Sequence, residues 1–496
     1  MPLLIALSLI ILVILLARRG RKGTAGPKLR RPPGPTGLPF FGNLLQFNPS
    51  DLHLRLEKLS NKYGPLMSMT LVGKPVIVIS SARVAKEALK HNDLAFSSRP
   101  SFICSRKLSY DNHDIAFSPY TEYWREMRKM VVLRLFTLKQ VNSFGPARED
   151  EVARMVQQIS RRAKAQQPVN INETALTLSS NMISRFALGK RYDEEGRSGK
   201  RFFDLFQQEL TLQIFIGDYF PWLGWIDKLC GRVSRLEKAF KDLDSFYEEL
   251  IEEHLSPNRP DSMNGDILDL LIQLKEDRSS PIQINWNHVK GVLMDIFVAG
   301  TDTTAAAITW AMTALIKKPQ ILNKVQQEIR TLVGKKGRVA EDDINKLPYL
   351  KAVVKETLRL HPPGPLSLPR LTIKPSIIDG YEIEPNTIVY VNVWAIGRDP
   401  NFWENPNEFL PERFLNSSMD FKGQDFEFLP FGSGRRVCPG MALGTAELNV
   451  VLANLLYSFN WELPPGMVED DIDMDSLPGL VTHKKNPLCL MAKSYV

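Results

Sequence analysis

The 496-residue chain is 44% hydrophobic and 24% charged, ordinary values for a folded globular protein and unlike those of a disordered or fibrous one. Its net charge of +8 is local: residues 18–31, RRGRKGTAGPKLRR, hold seven of the 63 basic residues and no acid, which leaves 56 basic against 55 acidic residues elsewhere. A neutral body behind a basic tract argues against nucleic acid as a partner. The scattered Cys104, Cys230, Cys438 and Cys489, with no CxxC pair, argue against a disulfide framework or a zinc site and fit a reducing compartment.

The first element is apolar. PLLIALSLIILVILLA, residues 2–17, carries no charge, and as a helix its sixteen residues reach about 24 Å against a hydrocarbon core of roughly 30 Å. Snorkelling by Arg18 and Arg19 covers the shortfall. The basic cluster follows the apolar run, and no A-x-A-like cleavage site precedes it. Residues 1–17 are therefore expected to be an uncleaved N-terminal transmembrane helix and not a secretion signal. The positive-inside rule keeps the body cytosolic. The sequons Asn172-Glu173-Thr174 and Asn416-Ser417-Ser418 are then chance matches.

Residues 18–43 read as the basic tract followed by a hinge. RPPGPTGLPFFGN (31–43) sets four prolines and three glycines among thirteen residues, which forbids helix and central strand. Its embedded Leu and Phe residues favour a stiff, packed connector. Residues 44–496 are expected to form one large body. PLMSMTLVGKPVIVIS (65–80) predicts a strand pair turning about Gly73-Lys74-Pro75. Helical patterns span 83–91, 121–133, 147–165, 235–255, 286–317, 319–333 and 347–360, strand-like runs return at 381–393, and a last helix follows Pro439. The predicted fold is mostly α with a small β region, without the alternation of a doubly wound sheet.

FGSGRRVCPG (431–440) is an unusual setting for a cysteine. Thiolate is the metal-binding form of cysteine, and nearby cations or a helix N-terminus lower a thiol's pKa. Arg435 and Arg436 precede Cys438, and a helix is expected to begin beside it. Gly432, Gly434 and Gly440 allow a tight approach to a flat ligand. A lone sulfur donor with no histidine or cysteine partner nearby points to haem, whose other equatorial bonds belong to the macrocycle.

The loop matches F-x-x-G-x-R-x-C-x-G of the cytochrome P-450 superfamily at Phe431, Gly434, Arg436, Cys438 and Gly440, and the resemblance covers nearly the whole chain. KETLRL and PERF supply Glu356, Arg359 and Arg413, a structural charge cluster in that superfamily. YWREMRK supplies Trp124 and Arg128, which with Arg370 and Arg436 are implied haem-propionate contacts, and Phe431 and Gly440 belong to the cofactor loop. FVAGTDTTAAAITW (297–310) interrupts an apolar helix with Gly, Asp and Thr. It resembles A-G-x-D/E-T-T, implying that Gly300 opens an oxygen groove, Asp302 relays protons and Thr303 hydrogen-bonds the oxygen species being cleaved.

The resemblance thus implies the cytochrome P-450 fold, haem b (iron protoporphyrin IX) on Cys438, O2 as co-substrate and electrons from NADPH through a cytochrome reductase, with cytochrome b5 as a further partner. Lys129, Arg134 and Lys139 are candidates for the reductase-facing surface. The motifs are most similar to plant microsomal enzymes of the 71 clan, families 83 and 71, anchored in the endoplasmic reticulum membrane. By that layout the substrate pocket is expected around the 101–121 loop, with Phe102, Phe117, Asp295, Ala299, Leu366, Leu368, Leu480 and Val481. Asp295 is expected either to pair a polar substrate group or to fill a packing gap. The leading reading is a haem-thiolate monooxygenase acting on a small hydrophobic or aromatic plant metabolite. Oxygen-independent rearrangement or dehydration, and non-enzymatic haem binding in a membrane protein, are the alternatives.

Overall fold

A computed structural model describes residues 30–47, 51–191, 215–279 and 281–495; the expected anchor at 1–17 and most of the basic tract lie outside the described residues. The helical patterns become α1 (Glu122–Leu135), α2 (Gly145–Lys164), α4 (Arg232–Leu255), α5 (Trp286–Ile316), α6 (Pro319–Val333), α7 (Pro348–Leu360) and α8 (Met441–Ser458). Periodicity did not reveal α3 (Ile171–Leu188), which lies along α5. Segment 83–91 starts as an α-helix at Ala82–Lys86 and continues as a π turn at Glu87–His91.

Helix α5 is the spine. Asn285 caps it, accepting from the His288 backbone N–H at 3.3 Å while His288 Nδ1 accepts from the Asn285 N–H at 3.0 Å. Apolar on nearly every side, it is the one described helix long and apolar enough to cross a membrane, yet most of it is buried by its neighbours. The principal apolar core joins α3, α5, α7 and α8 through residues such as Met182, Phe186, Val292, Leu315, Val353, Leu452 and Leu456.

The sheets are small. β1 (Leu66–Leu71) and β2 (Lys74–Ile79) form a hairpin, with Thr70 opposite Pro75. Its turn is at Val72-Gly73, both with positive φ (49° and 80°), so Lys74 and Pro75 belong to β2 and not to the predicted turn. The strand order is β1-β2-β7-β4, with β4 (Arg370–Leu371) antiparallel and β2 parallel to β7 (Ile388–Val391). The remaining strands make β3 (Val169–Asn170) with β9 (Cys489–Ser494) and β8 (Phe459–Glu462), and the separate pair β5 (Ser376–Ile378) and β6 (Tyr381–Ile383).

The described part of the Pro/Gly tract lies against β1: Ser68 N–H donates to Pro33 O at 2.7 Å and Thr70 N–H to Asn43 Oδ1 at 2.8 Å. Gly34 has no room for a side chain there, because an added Cβ would come within 1.8 Å of Ser68 O. Asn172, in one of the sequons, accepts from the Leu488 backbone N–H at 3.0 Å.

Candidate active site around Cys438

The loop before α8 is bent by Gly432 and Gly434, whose φ values of 71° and 70° lie in the left-handed region. Gly434 is also sterically required: a Cβ would sit 2.5 Å from Asp93 Oδ1 and 2.6 Å from Leu89 O. The bend lets Cys438 N–H donate to Phe431 O at 3.0 Å, while the Phe431 ring meets Phe421 edge-on at 5.5 Å. Gly440 is the N-cap of α8, and a Cβ there would lie 4.0 Å from the Cys438 sulfur.

The electrostatics of Cys438 differ from expectation. Arg435 turns out to Asp93 at 2.6 Å, and Arg436 reaches the carbonyls of Ser97 (2.7 Å), Ile115 (3.2 Å) and Ser118 (2.7 Å). The guanidinium that acts on the sulfur is Arg128, which donates to the Val437 carbonyl. Burial pushes the Cys438 thiol up, and the Gly440 N–H and Arg128 only partly oppose it. Proximity of charge therefore does not by itself hold a thiolate here, whereas a metal cation would.

Four arginines converge beside this loop. Arg99, Arg370 and Arg436 are buried, and Arg128 is partly so. Arg99 donates to the carbonyls of Ala116 (3.0 Å), Leu368 (2.6 Å) and Pro369 (2.9 Å); Arg370 donates to Ser433 O at 2.7 Å. Among the described residues no carboxylate lies within ion-pair distance of Arg99, Arg128 or Arg436, and Arg370 has only Asp93 at 3.8 Å. Burial and the neighbouring guanidiniums pull Arg436 down to about 9 and Arg99 well below its ordinary value; burial does the same to Arg370, at about 10. Dry cations without counter-charge are costly. The cluster has the chemistry of a site for a dianionic group, and its donor set fits two carboxylates. Trp124 supports it with its ring face, 3.8 Å from the Arg436 guanidinium, while its indole N–H is committed to Ile115 O at 2.9 Å.

Glu356, Arg359 and Arg413 are brought together. Arg359 donates to both Glu356 oxygens at 2.7 and 2.8 Å, Arg413 adds a bond at 3.1 Å, and Arg359 also caps the carbonyls of Gly397 and Pro406. Its partners are all structural.

On α5 the buried surface opens at Val298–Gly300 and at Asp302 and Thr303, an accessible strip in a helix otherwise enclosed beyond Trp286 and Asn287 at its start. Thr303 Oγ1 donates to Ala299 O at 2.6 Å. Asp302 Oδ1 lies 2.8 Å from His483 Nε2. Thr304 faces α8, its Oγ1 lying 3.9 Å from where a Cβ on Gly444 would sit; burial pushes the Glu447 carboxyl on that helix up to about 8.

A cavity of about 260 Å³ is lined by Phe102, Phe117, Leu366, Leu368 and Leu480, as expected, and also by Arg99, Asp218, Tyr219, Tyr390 and Thr482. Asp295, Ala299 and Val481 are not in its wall. Asp295 is buried, and its Oδ2 accepts from the backbone N–H groups of Ile115 (2.8 Å) and Ala116 (3.2 Å). It ties the 109–118 loop to α5 from outside the wall of this cavity. Burial and the adjacent Asp114 push the Asp295 carboxyl well up. Arg99, Asp114, His483 and Glu447 were not singled out in the sequence.

The sequence model of the family described as Cytochrome P450 matches residues 32–491. The chain belongs to the cytochrome P450 family. This P450 is 47% identical to 6,7,8-trihydroxycoumarin synthase of Pastinaca sativa over 94% of each chain. It is 46% identical to cytochrome P450 71A1 of Persea americana over 90% of each, and 45% identical to strychnine-11-hydroxylase of Strychnos nux-vomica over 97% of this chain and 94% of the other. A zebrafish cytochrome P450 structure with progesterone superposes with a TM-score of 0.76 at 25% identity, covering 89% of this chain and 99% of that one. The P450 is thus a plant 71-clan haem enzyme and a monooxygenase that uses O2 and NADPH-derived electrons through a reductase.

Proposed function

We propose that this P450 hydroxylates or N-oxidises a small hydrophobic or aromatic plant specialised metabolite from the cytosolic face of the endoplasmic reticulum membrane. The observation that carries the proposal is the convergence of Cys438, four arginines, three of them buried and only Arg370 within ion-pair distance of a carboxylate among the described residues, and the opened strip of α5. When bound, haem supplies the iron at which dioxygen is activated for insertion into substrate. Cys438 is its thiolate donor. Arg99, Arg128, Arg370 and Arg436 receive its carboxylates, Trp124 backs Arg436, and Phe431 and Gly440 shape the loop beside the sulfur. The Glu356–Arg359–Arg413 cluster ties α7 to the 397–413 segment and takes no part in the chemistry.

Asp302 holds a proton-exchanging carboxylate at the edge of the open strip. The Thr303 hydroxyl, whose proton is parked on Ala299 O, keeps lone pairs free to accept from water and can turn to donate. Together they move protons to the reacting face while the surrounding apolar wall excludes bulk water. An oxygen-independent rearrangement has no use for this acid–hydroxyl pair.

The apolar cavity, with Phe102, Phe117, Tyr219 and Tyr390 in its wall, supports an aromatic substrate, as do relatives named 6,7,8-trihydroxycoumarin synthase, 5-OH-xanthotoxin synthase and strychnine-11-hydroxylase. Residues 1–17 serve as the membrane anchor, 18–43 as the connector and 44–496 as the catalytic body. An exposed apolar patch supports contact with lipid: Phe41 meets Phe220 edge-on at 6.5 Å, and Trp222 and Leu229 nearby are 72% and 77% exposed. Reductase, and cytochrome b5 as an auxiliary donor, dock on the cysteine side.

The test is a panel of coumarins, indole alkaloids and simple phenolics in reductase-containing microsomes, read by product mass. Gain of one oxygen atom, dependent on NADPH, is expected. Turnover without NADPH would overturn the reading.

A further inference from the structure

The loop that lines the substrate cavity reaches back to the proton-handling carboxylate. Leu477, Pro478, Gly479, Leu480 and Thr482 form part of the cavity wall. The loop is pinned at both ends: Trp310 Nε1 on α5 donates to Thr482 O at 2.8 Å, Thr482 N–H donates to Pro363 O at 2.9 Å, and Leu477 N–H donates to His483 O at 2.8 Å. That anchoring puts His483 Nε2 2.8 Å from Asp302 Oδ1. Both atoms are buried; their 2.8 Å approach is an ion-pair contact without the angles of a hydrogen bond, and neither atom has a hydrogen-bond partner among the described residues. A buried carboxylate oxygen and a buried ring nitrogen left to each other form a pair, since either alone would bear the full desolvation cost.

We propose that His483 is the positioning residue for Asp302, its Nε2 pairing with the carboxylate to hold it at the open strip of α5 and so making proton delivery depend on the seating of the 477–483 loop. This rests on the reading of Asp302 as the proton-handling group. Neither residue alters the haem ligand, so a change at one of them is felt as misdirected reducing equivalents and not as loss of the cofactor.

The test compares wild type, Asp302→Asn, His483→Ala, His483→Gln and the double variant Asp302→Asn/His483→Ala, each as reductase-supplied holoenzyme with saturating substrate. An unaltered carbon monoxide spectrum in each variant verifies the folded haem site. Peroxide released per NADPH should rise several-fold in His483→Ala and return toward wild type in His483→Gln, whose amide can take the imidazole's place beside the carboxylate. The double variant should be no worse than Asp302→Asn alone, the non-additivity of residues that act as a unit. Hydrogen exchange of the 476–484 backbone should accelerate several-fold in both Asp302→Asn and His483→Ala, a readout independent of turnover. Wild-type coupling and exchange in His483→Ala, or multiplicative effects in the double variant, would overturn the pairing. Unchanged coupling in Asp302→Asn would instead overturn the reading of Asp302 itself.

Discussion

Arg359 grips Glu356 through two hydrogen bonds of 2.7 and 2.8 Å in a site where neither side chain reaches water. The guanidinium also satisfies the carbonyls of Gly397 and Pro406, so it clamps α7 to the segment that leads to Arg413. Removing one member strands a buried charge, at a cost of about 3–5 kcal/mol. Arg359→Ala is therefore expected to yield little folded protein, whereas Arg413→Ala, on the rim of the cluster, should fold with a lowered melting temperature. Thermal melting and haem content check both.

Much of this architecture is legible in the sequence. The long, mainly apolar pattern of 286–317 announces a helix, and the fixed spacing around Cys438 announces the loop. Helix α3 was missed because INETALTLSSNMISRFAL mixes Ser, Thr and Asn, residues of middling helix preference, and presents no polar stripe. Its helix rests on packing against α5, which only the tertiary fold supplies. Arg99 and His483 were missed for a related reason. Nothing in SSRPSF or VTHKKN tells a buried arginine or histidine from a solvated one. Arg435 was misread in the opposite sense, since Asp93, remote in sequence, draws it away from the sulfur.

Arg99 supplies a test of the cationic cluster. It is buried against three carbonyls, and among the described residues no carboxylate lies within ion-pair distance, so a carboxylate-bearing ligand would supply close counter-charge. A hydrogen bond to a charged group contributes about 1.5–3 kcal/mol. Arg99→Gln should therefore lose haem to an apomyoglobin acceptor roughly tenfold faster or more, with the reduced carbon monoxide band unmoved in the fraction that retains haem.

Glu447 predicts the pH dependence of stability. Burial lifts its carboxyl from an ordinary 4.5 to about 8, with Arg148 and the Thr304 hydroxyl opposing. Between those values the folded chain holds a proton that the unfolded chain has released, so stability falls as pH rises through the window. The melting temperature of wild type should decline relative to Glu447→Gln from about pH 5 to pH 8. Parallel pH profiles for the two proteins would contradict this.

Thr303→Ala should leave substrate binding near wild type, as judged by the spin-state titration, while most NADPH electrons emerge as hydrogen peroxide. The reason is that Thr303 Oγ1 is the hydroxyl on the open strip, whereas Thr304 faces α8. Thr304→Ala should therefore keep its coupling, and oxygen-electrode and peroxide assays on the two variants separate the roles.

The most direct measurement is the difference spectrum of reduced, carbon monoxide-treated protein, made with haem supplied. The account predicts the red-shifted Soret band of thiolate-ligated haem in wild type, and its loss in Cys438→His with haem still bound. Wild-type protein that binds haem without giving that band, or Cys438→His that keeps it, would contradict the assignment of Cys438.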